Sequence, residues 1–201
     1  FYGIIEEMTI ARFQKKILSW HKSHKRNLPW RNTKDPYKIL VSEIMLQQTQ
    51  VTKVIPKYEE FLKVFPSMKA LAKAPQKKVL KIWSGLGYWR RALFLQQTAQ
   101  QLVKGNLVSG ETRFPKNPKE LEKLPGIGHY TARAIACFAF GGSDAFIDTN
   151  IRRVYLYFFF PKKKLVADKE ILKVAQKAID QLPRGMTSRE WHYALFDYGA
   201  I

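Results

Sequence analysis

Several things are scarce in this sequence, and each scarcity excludes something. There is one cysteine, Cys137, in 201 residues, so these residues can build neither an internal disulfide nor a four-cysteine zinc or iron–sulfur site. No wholly apolar run exceeds seven residues, as in Val154 to Phe160, whereas about 18 are needed to span a bilayer as a helix. No segment near the N-terminus joins a charged start, an apolar middle and a small-residue cleavage site, so a cytoplasmic protein with no membrane partner is expected. Acidic residues are few: 16 Asp+Glu stand against 35 Lys+Arg, a formal net charge of +19.

Apolar material is not lacking. Hydrophobic residues make up 46% and aromatics 13% of the chain, which excludes a disordered basic tail. The length suits one domain or two small lobes with a proper core. The positive charge is spread along the chain as Lys15-Lys16, Lys77-Lys78, Arg90-Arg91, Arg152-Arg153 and Lys162 to Lys164. A membrane-surface helix would instead gather its basic residues opposite one greasy face. Many of these lysines read as solvated helix faces, and the partner the charge implies is a polyanion, nucleic acid first.

The apolar spacing is helical nearly throughout, and period-2 alternation with hairpin turns is missing, so the fold class is all-α. One helix is predicted from Lys38 to Ile55, closed by Pro56, and others at about 9–22, 57–64, 67–73, 76–84 and 88–104, with Gly105 as a C-terminal cap. Asn117-Pro118-Lys119-Glu120 is a start signal: a capping Asn, Pro at the first helical position and an acid behind it. Asp168 and Ser188 open the last two predicted helices.

The sharpest local feature is Leu124-Pro125-Gly126-Ile127-Gly128 between two apolar helical patterns. Glycines at alternate positions let backbone N–H groups approach a phosphate, and the following helix N-terminus adds its partial positive charge. Ile127 would plug the turn into the core. An ordinary helical corner gives the same pattern, because Pro-Gly turns are common. A phosphate grip of this kind positions a backbone and reads no base.

This motif resembles the helix-hairpin-helix of the DNA glycosylase superfamily that includes endonuclease III, and Asp148, within Phe146 to Val154, stands twenty residues past Gly128, where that pattern has an essential Asp. Leu28-Pro29-Trp30-Arg31, Asp35-Pro36-Tyr37, Ser42 to Val51 and Gly85-Leu86-Gly87-Tyr88 are similar to adenine DNA glycosylases of the MutY type. The resemblance runs from about Trp20 to Ala200. It implies two helical lobes: a six-helix barrel over about 36–143 carrying the hairpin at about 117–140, and a second lobe of 1–35 with 144–201, DNA lying in the cleft between Glu43 and Asp148. It also implies a monomer acting on double-stranded DNA that contains a mismatch or an oxidised guanine.

Releasing adenine from deoxyribose requires a proton on the base and negative charge beside the developing sugar cation, work that two carboxyls can divide. Glu43, flanked by Val41, Ile44, Met45 and Leu46, is expected to be desolvated and to keep a proton, as a general acid does. Asp148, near Arg152 and Arg153, is expected to stay ionised and stabilise the cation. Each has a plainer alternative: a solvated helix carboxylate for Glu43, an N-cap for Asp148. Only the resemblance carries both into catalysis. Tyr130 occupies the position where endonuclease III-like enzymes hold a Lys that forms a Schiff base, so base removal without strand cleavage is expected. By resemblance Tyr130 and Asn150 orient Asp148 and water, though Tyr130 also fits simple packing.

Gln47, Gln48 and Tyr88 resemble the residues that fill the gap left by a flipped base, and Trp30 and Arg31 the adenine pocket. Trp30 and Trp89 equally fit core or half-buried packing, Gln96-Gln97 a helix surface without a task, and His129 either a phosphate contact or a surface histidine. Family members carry an iron–sulfur cluster on cysteines following a segment like Asp197 to Ile201, and a C-terminal domain that reads 8-oxoguanine. These residues supply neither, so no cluster is expected on this chain, and the one bound ion expected is a monovalent cation at the hairpin. The other readings are a G:T or G:U mismatch thymine/uracil glycosylase and a non-catalytic helix-hairpin-helix DNA-binding module.

Overall fold

A computed structural model of the chain describes residues 8–104 and 114–201, all helix and loop with no strand among them. The helices are α1 (Ile10–His24), α2 (Pro36–Leu46), α3 (Val51–Val64), α4 (Met68–Lys73), α5 (Gln76–Trp83), α6 (Arg90–Lys104), α7 (Pro118–Leu121), α8 (His129–Phe140), α9 (Thr149–Phe159), α10 (Asp168–Asp180) and α11 (Ser188–Tyr198). A short 3-10 turn covers Pro29–Asn32. The cap predicted at Gly105 lies outside the described residues. No helix of the described residues is long and apolar enough to cross a membrane.

Two compact units result. One comprises the chain up to Arg26 together with Gly141–Ile201, the other Asn27–Phe140. The stretch 27–35, expected with the terminal lobe, therefore sits with the α2 unit. The reason is Trp30, 5% exposed and packed edge-on against Tyr58 of α3 at 5.5 Å between ring centres.

In the Asn27–Phe140 unit, α2 is buried nearly all round and packs on α8, which is itself buried over most of its length. The single helix predicted from Lys38 to Ile55 is in fact two. α2 stops at Leu46, Gln48 takes a left-handed backbone with φ of 53°, and α3 restarts at Val51 with Pro56 inside it. Apolar periodicity runs on across the break, which is why it does not reveal it. Gln96, read as surface, is buried: its amide donates to the carbonyls of Leu71 (3.3 Å) and Ala74 (2.7 Å), closing the end of α4.

The other unit is built round Phe13. Its ring meets Tyr155, Phe158, Phe159 and Trp191 at 5.0–5.5 Å between centres, joining α1, α9 and α11. Beneath them Asp197 is buried and paired with Arg26 at 2.5 Å and His21 at 3.4 Å. His192 lies flat on Phe146 at 3.8 Å, its Nδ1 2.7 Å from the Ser188 carbonyl oxygen. Burial pushes its pKa down from 6.5 to about 4. The imidazole is therefore neutral when folded, and protonation favours the unfolded chain. The contribution of His192 to stability is present above pH 6.5 and is lost as pH falls from there to about 4, amounting to about 3 kcal/mol. Urea melts at pH 7, 5.5 and 4.5 should show this slope, and His192→Gln should flatten it.

Candidate functional site

The residues singled out from sequence fall in both units. In the Asn27–Phe140 unit, Asp35 starts α2 by accepting the amides of Tyr37 (2.9 Å) and Lys38 (3.5 Å), with Pro36 at the first helical position. Seven residues on, Glu43 is 6% exposed between Ser42 and Ile44, both buried. A solvated surface carboxylate is thus not what this residue is. Trp30 is packed as described, with Arg31 half-buried beside it.

At the end of α2 the chain reverses, and one side chain governs the reversal. Arg91, in the first turn of α6, is 8% exposed. Its Nη1 donates to the carbonyls of Ile44 and Met45, each at 3.0 Å, and of Gln47. Its Nη2 donates to Thr49 Oγ1 (3.0 Å) and the carbonyls of Leu86 (2.9 Å) and Gly87 (3.2 Å). Counted from sequence only as half of a basic pair, Arg91 is an interior staple. Only the Gly85-Leu86-Gly87 turn beside it gave any signal of this, since tight turns leave carbonyls in need of donors.

Gln47, Gln48, Tyr88, Trp89, Arg90, Arg91 and Phe94 line one depression of about 360 Å³. Gln47 is tied inward, its amide 3.3 Å from Thr131 Oγ1 and 3.5 Å from the Gly126 carbonyl. Gln48 is the exposed member of the pair. Tyr88 is 62% and Trp89 56% exposed, so Trp89 is not the packing residue its type led one to expect. The Arg90 guanidinium lies 5.8 Å from the centre of its ring.

The hairpin joins α7 to α8. Asn117 caps α7 through the Lys119 amide at 2.9 Å, Ile127 is buried as predicted, and Thr98 of α6 donates to the Pro125 carbonyl at 2.9 Å. Gly126 has φ of 73°, and a Cβ there would stand 2.8 Å from Phe94 Cβ. Gly128 is different: its φ is ordinary and a Cβ would meet nothing within 4 Å. His129 Nδ1 lies 3.0 Å from Glu122, which also pairs with Arg133 at 2.9 Å. Tyr130 follows, half-buried, as the second residue of α8. The lone Cys137 is buried inside α8, and the described residues contain no His, Cys, Asp and Glu group able to hold a metal ion.

In the other unit, Asp148 caps α9, its Oδ1 accepting the Ile151 amide at 2.7 Å. Its carboxyl does not sit in the simple electropositive setting predicted. Burial raises its pKa, opposed by backbone amides and by Arg153, while Arg152 turns away to Asp168 (2.9 Å) and the Val166 carbonyl (2.8 Å). Asn150 accepts from Arg153 at 3.4 Å. Its backbone is pressed by the end of α11: a Cβ on Gly199 would lie 2.6 Å from the Asn150 carbonyl oxygen, so only glycine fits there without moving α9.

Against this geometry, comparison with known proteins is direct. Residues 41–181 match the family described as HhH-GPD superfamily base excision DNA repair protein. The chain is 40% identical over 196 residues to an adenine DNA glycosylase of Buchnera aphidicola, covering 96% of this chain and 54% of that protein. It is 42% identical over 140 residues to one of Mycolicibacterium smegmatis, covering 69% and 46%, so it spans about half the length of these bacterial relatives. Among solved structures, a thermostable thymine-DNA glycosylase superposes with a TM-score of 0.82 at 30% identity, covering 96% of this chain and 86% of that one. An endonuclease III–DNA covalent intermediate shares the fold with a TM-score of 0.71 at 19% identity, covering 93% and 83%. The chain belongs to the HhH-GPD superfamily of base excision DNA repair proteins.

Proposed function

We propose that the chain is the catalytic part of a monofunctional adenine DNA glycosylase, hydrolysing the N-glycosidic bond of adenine mispaired with 8-oxoguanine or guanine in duplex DNA. The observation that carries this reading is the burial of Glu43 on the helix whose clamped end presents Gln48 beside the exposed Tyr88. Identities of 34–42% to adenine DNA glycosylases across nearly all or most of the chain support it.

Glu43, buried on α2, delivers the proton that makes adenine a leaving group, as a positioned general acid does. Asp148 supplies the negative charge for the sugar cation from its place at the start of α9. Tyr130 has no amine and cannot form a Schiff base, so the product strand stays intact, while Asn150 orients Asp148 and water. Gln48 and Tyr88 occupy the space of the extruded base, and Trp30 with Arg31 bounds the adenine pocket. The hairpin from Pro125 to His129 grips the DNA backbone. The Leu124, Pro125 and Gly126 carbonyls each accept one hydrogen bond and keep a second lone pair. Those are oxygen donors that a monovalent cation takes, and there it would offset a phosphate's charge. A monomer working on chromosomal DNA, in the cytoplasm of a prokaryote, completes the reading.

Two glycines test the hairpin. Gly126→Ala forces a left-handed alanine against Phe94 and should lower Tm by roughly 5 °C. Gly128→Ala should leave Tm unchanged. It would nonetheless weaken duplex binding about tenfold, by holding a phosphate off the turn amides and losing a charge-assisted hydrogen bond. Equal affinity for Gly128→Ala and the parent chain would remove the hairpin from the interface.

The thermostable thymine-DNA glycosylase, of which this chain covers 86%, makes G:T or G:U mismatches the second reading. Single-turnover assays on duplexes with A opposite 8-oxoguanine, A opposite G, T opposite G and U opposite G decide between them, each product being split with and without hot alkali. Breaks in the adenine strand only after alkali are the expected result. Breaks in the T or U strand would move the chain to mismatch repair of thymine, and no release with binding intact would leave a DNA-binding module.

A further inference from the structure

Among the described residues only two non-glycine residues have a positive φ, Gln48 at 53° and Tyr88 at 44°. Left-handed backbone is costly for any residue with a Cβ, and it persists only where the surroundings over-determine it. Here the two strained residues share one support. Arg91 takes the orphan carbonyls at the end of α2, which no intrahelical donor reaches, and with the same guanidinium it takes the carbonyls of the turn just before Tyr88. Its cation also stands 5.4 Å from the centre of the Tyr88 ring and 5.5 Å from that of Trp83. The Trp83 indole N–H closes the turn from the other side by donating to the Gly87 carbonyl at 3.1 Å. Arg91 is itself buried, so its work is done inside the protein.

We propose that Arg91 is a positioning residue that holds Gln48 and Tyr88 ready for the step vacated by a flipped base, and so sets the discrimination between mispaired and matched duplexes. This rests on reading Gln48 and Tyr88 as DNA contacts. Two strained reversals docked on one planar fork move together. With the fork intact they pay no ordering cost when DNA arrives. A lysine ammonium keeps the charge but is a point donor without the two-sided fork, so it cannot serve both turns at once.

The test uses the 201-residue chain and two duplexes, one with 2′-fluoro-2′-deoxyadenosine opposite 8-oxoguanine and one fully matched. The fluorine blocks glycosidic cleavage, so affinity alone is read. Arg91→Lys, folded by circular dichroism, should lose about tenfold in the ratio of the two affinities, the scale of coupling between contacting residues. Hydrogen exchange should quicken at 47–49 and 86–88 and stay unchanged in α8. Arg91→Met, which removes the whole fork, should lower the ratio at least as far, and should it fail to fold, Arg91→Lys still carries the test. Gln48→Ala and Tyr88→Ala should each lower the same ratio, less than additively with Arg91→Lys. A ratio preserved in folded Arg91→Lys, including a uniform loss on both duplexes, overturns the proposal, because a purely structural role would give that. A ratio unmoved by both Gln48→Ala and Tyr88→Ala would instead overturn the reading of those residues as contacts.

Discussion

Asp148→Asn is expected to lose turnover by about a thousandfold or more, the scale of removing a charge aimed at a transition state, without loss of fold. The second half of that statement makes the first informative. Asn caps a helix as well as Asp does, so the bond to the Ile151 amide and the start of α9 survive the change. Stability has a definite sign as well. Burial raises the Asp148 pKa in the folded chain, so folding favours the protonated carboxyl, and whatever stability this group adds is present at low pH and gone once it ionises. At neutral pH the charged form is a burden on the fold. Tm of Asp148→Asn at pH 7 should therefore equal or exceed that of the parent chain, and duplex affinity should be nearly unchanged. Retained turnover would reduce Asp148 to a cap.

The same shift shapes the pH profile. Asp148 must be ionised to steady a cation, so single-turnover rates should fall as pH drops through a pKa above the ordinary aspartate value of 3.8. A group kept in an environment that resists its working charge state costs stability for function. Asn117 and Asp35 also cap helices, but at the surface.

What could be read from the residue order follows from which interactions are local. Asn117-Pro118 at the start of α7, the Asp148 cap and the plug of Ile127 between its glycines depend on neighbours a few positions away, and spacing reveals them. The helix break at Gln47 to Gln50 does not, because apolar residues keep their helical phase across it, and the cause is a guanidinium more than forty positions further on. Arg91 and Gln96 look like any polar residues on a helix. Each is interior because another segment brings orphan carbonyls to it: Ile44 to Gln47 for one, Leu71 and Ala74 for the other. The setting of Asp148 is less electropositive than its neighbours in sequence suggest, for a related reason. Adjacent Arg152 is committed to Asp168, and desolvation, a property of the packed unit, outweighs proximity in sequence.

Glu43→Gln is expected to slow adenine release by about a hundredfold to ten-thousandfold, the range for losing a positioned general acid. The carboxamide is nearly isosteric with a protonated carboxyl, so the packing of α2 between Val41 and Met45 is retained, but it has no proton to give at neutral pH. A rate loss alone would not separate proton delivery from displaced packing. The leaving group does. If Glu43 acts by protonating the base, the penalty must shrink for a nucleobase that departs readily as its anion, because that bond breaks with little help from an acid. If Glu43 acts only through packing, the penalty is the same for every base. Single-turnover rates of the parent chain and Glu43→Gln on an adenine duplex and on one carrying a strongly electron-poor purine give the two ratios. Converging rates on the second substrate are the expected outcome, and a constant ratio would leave this chain without its acid.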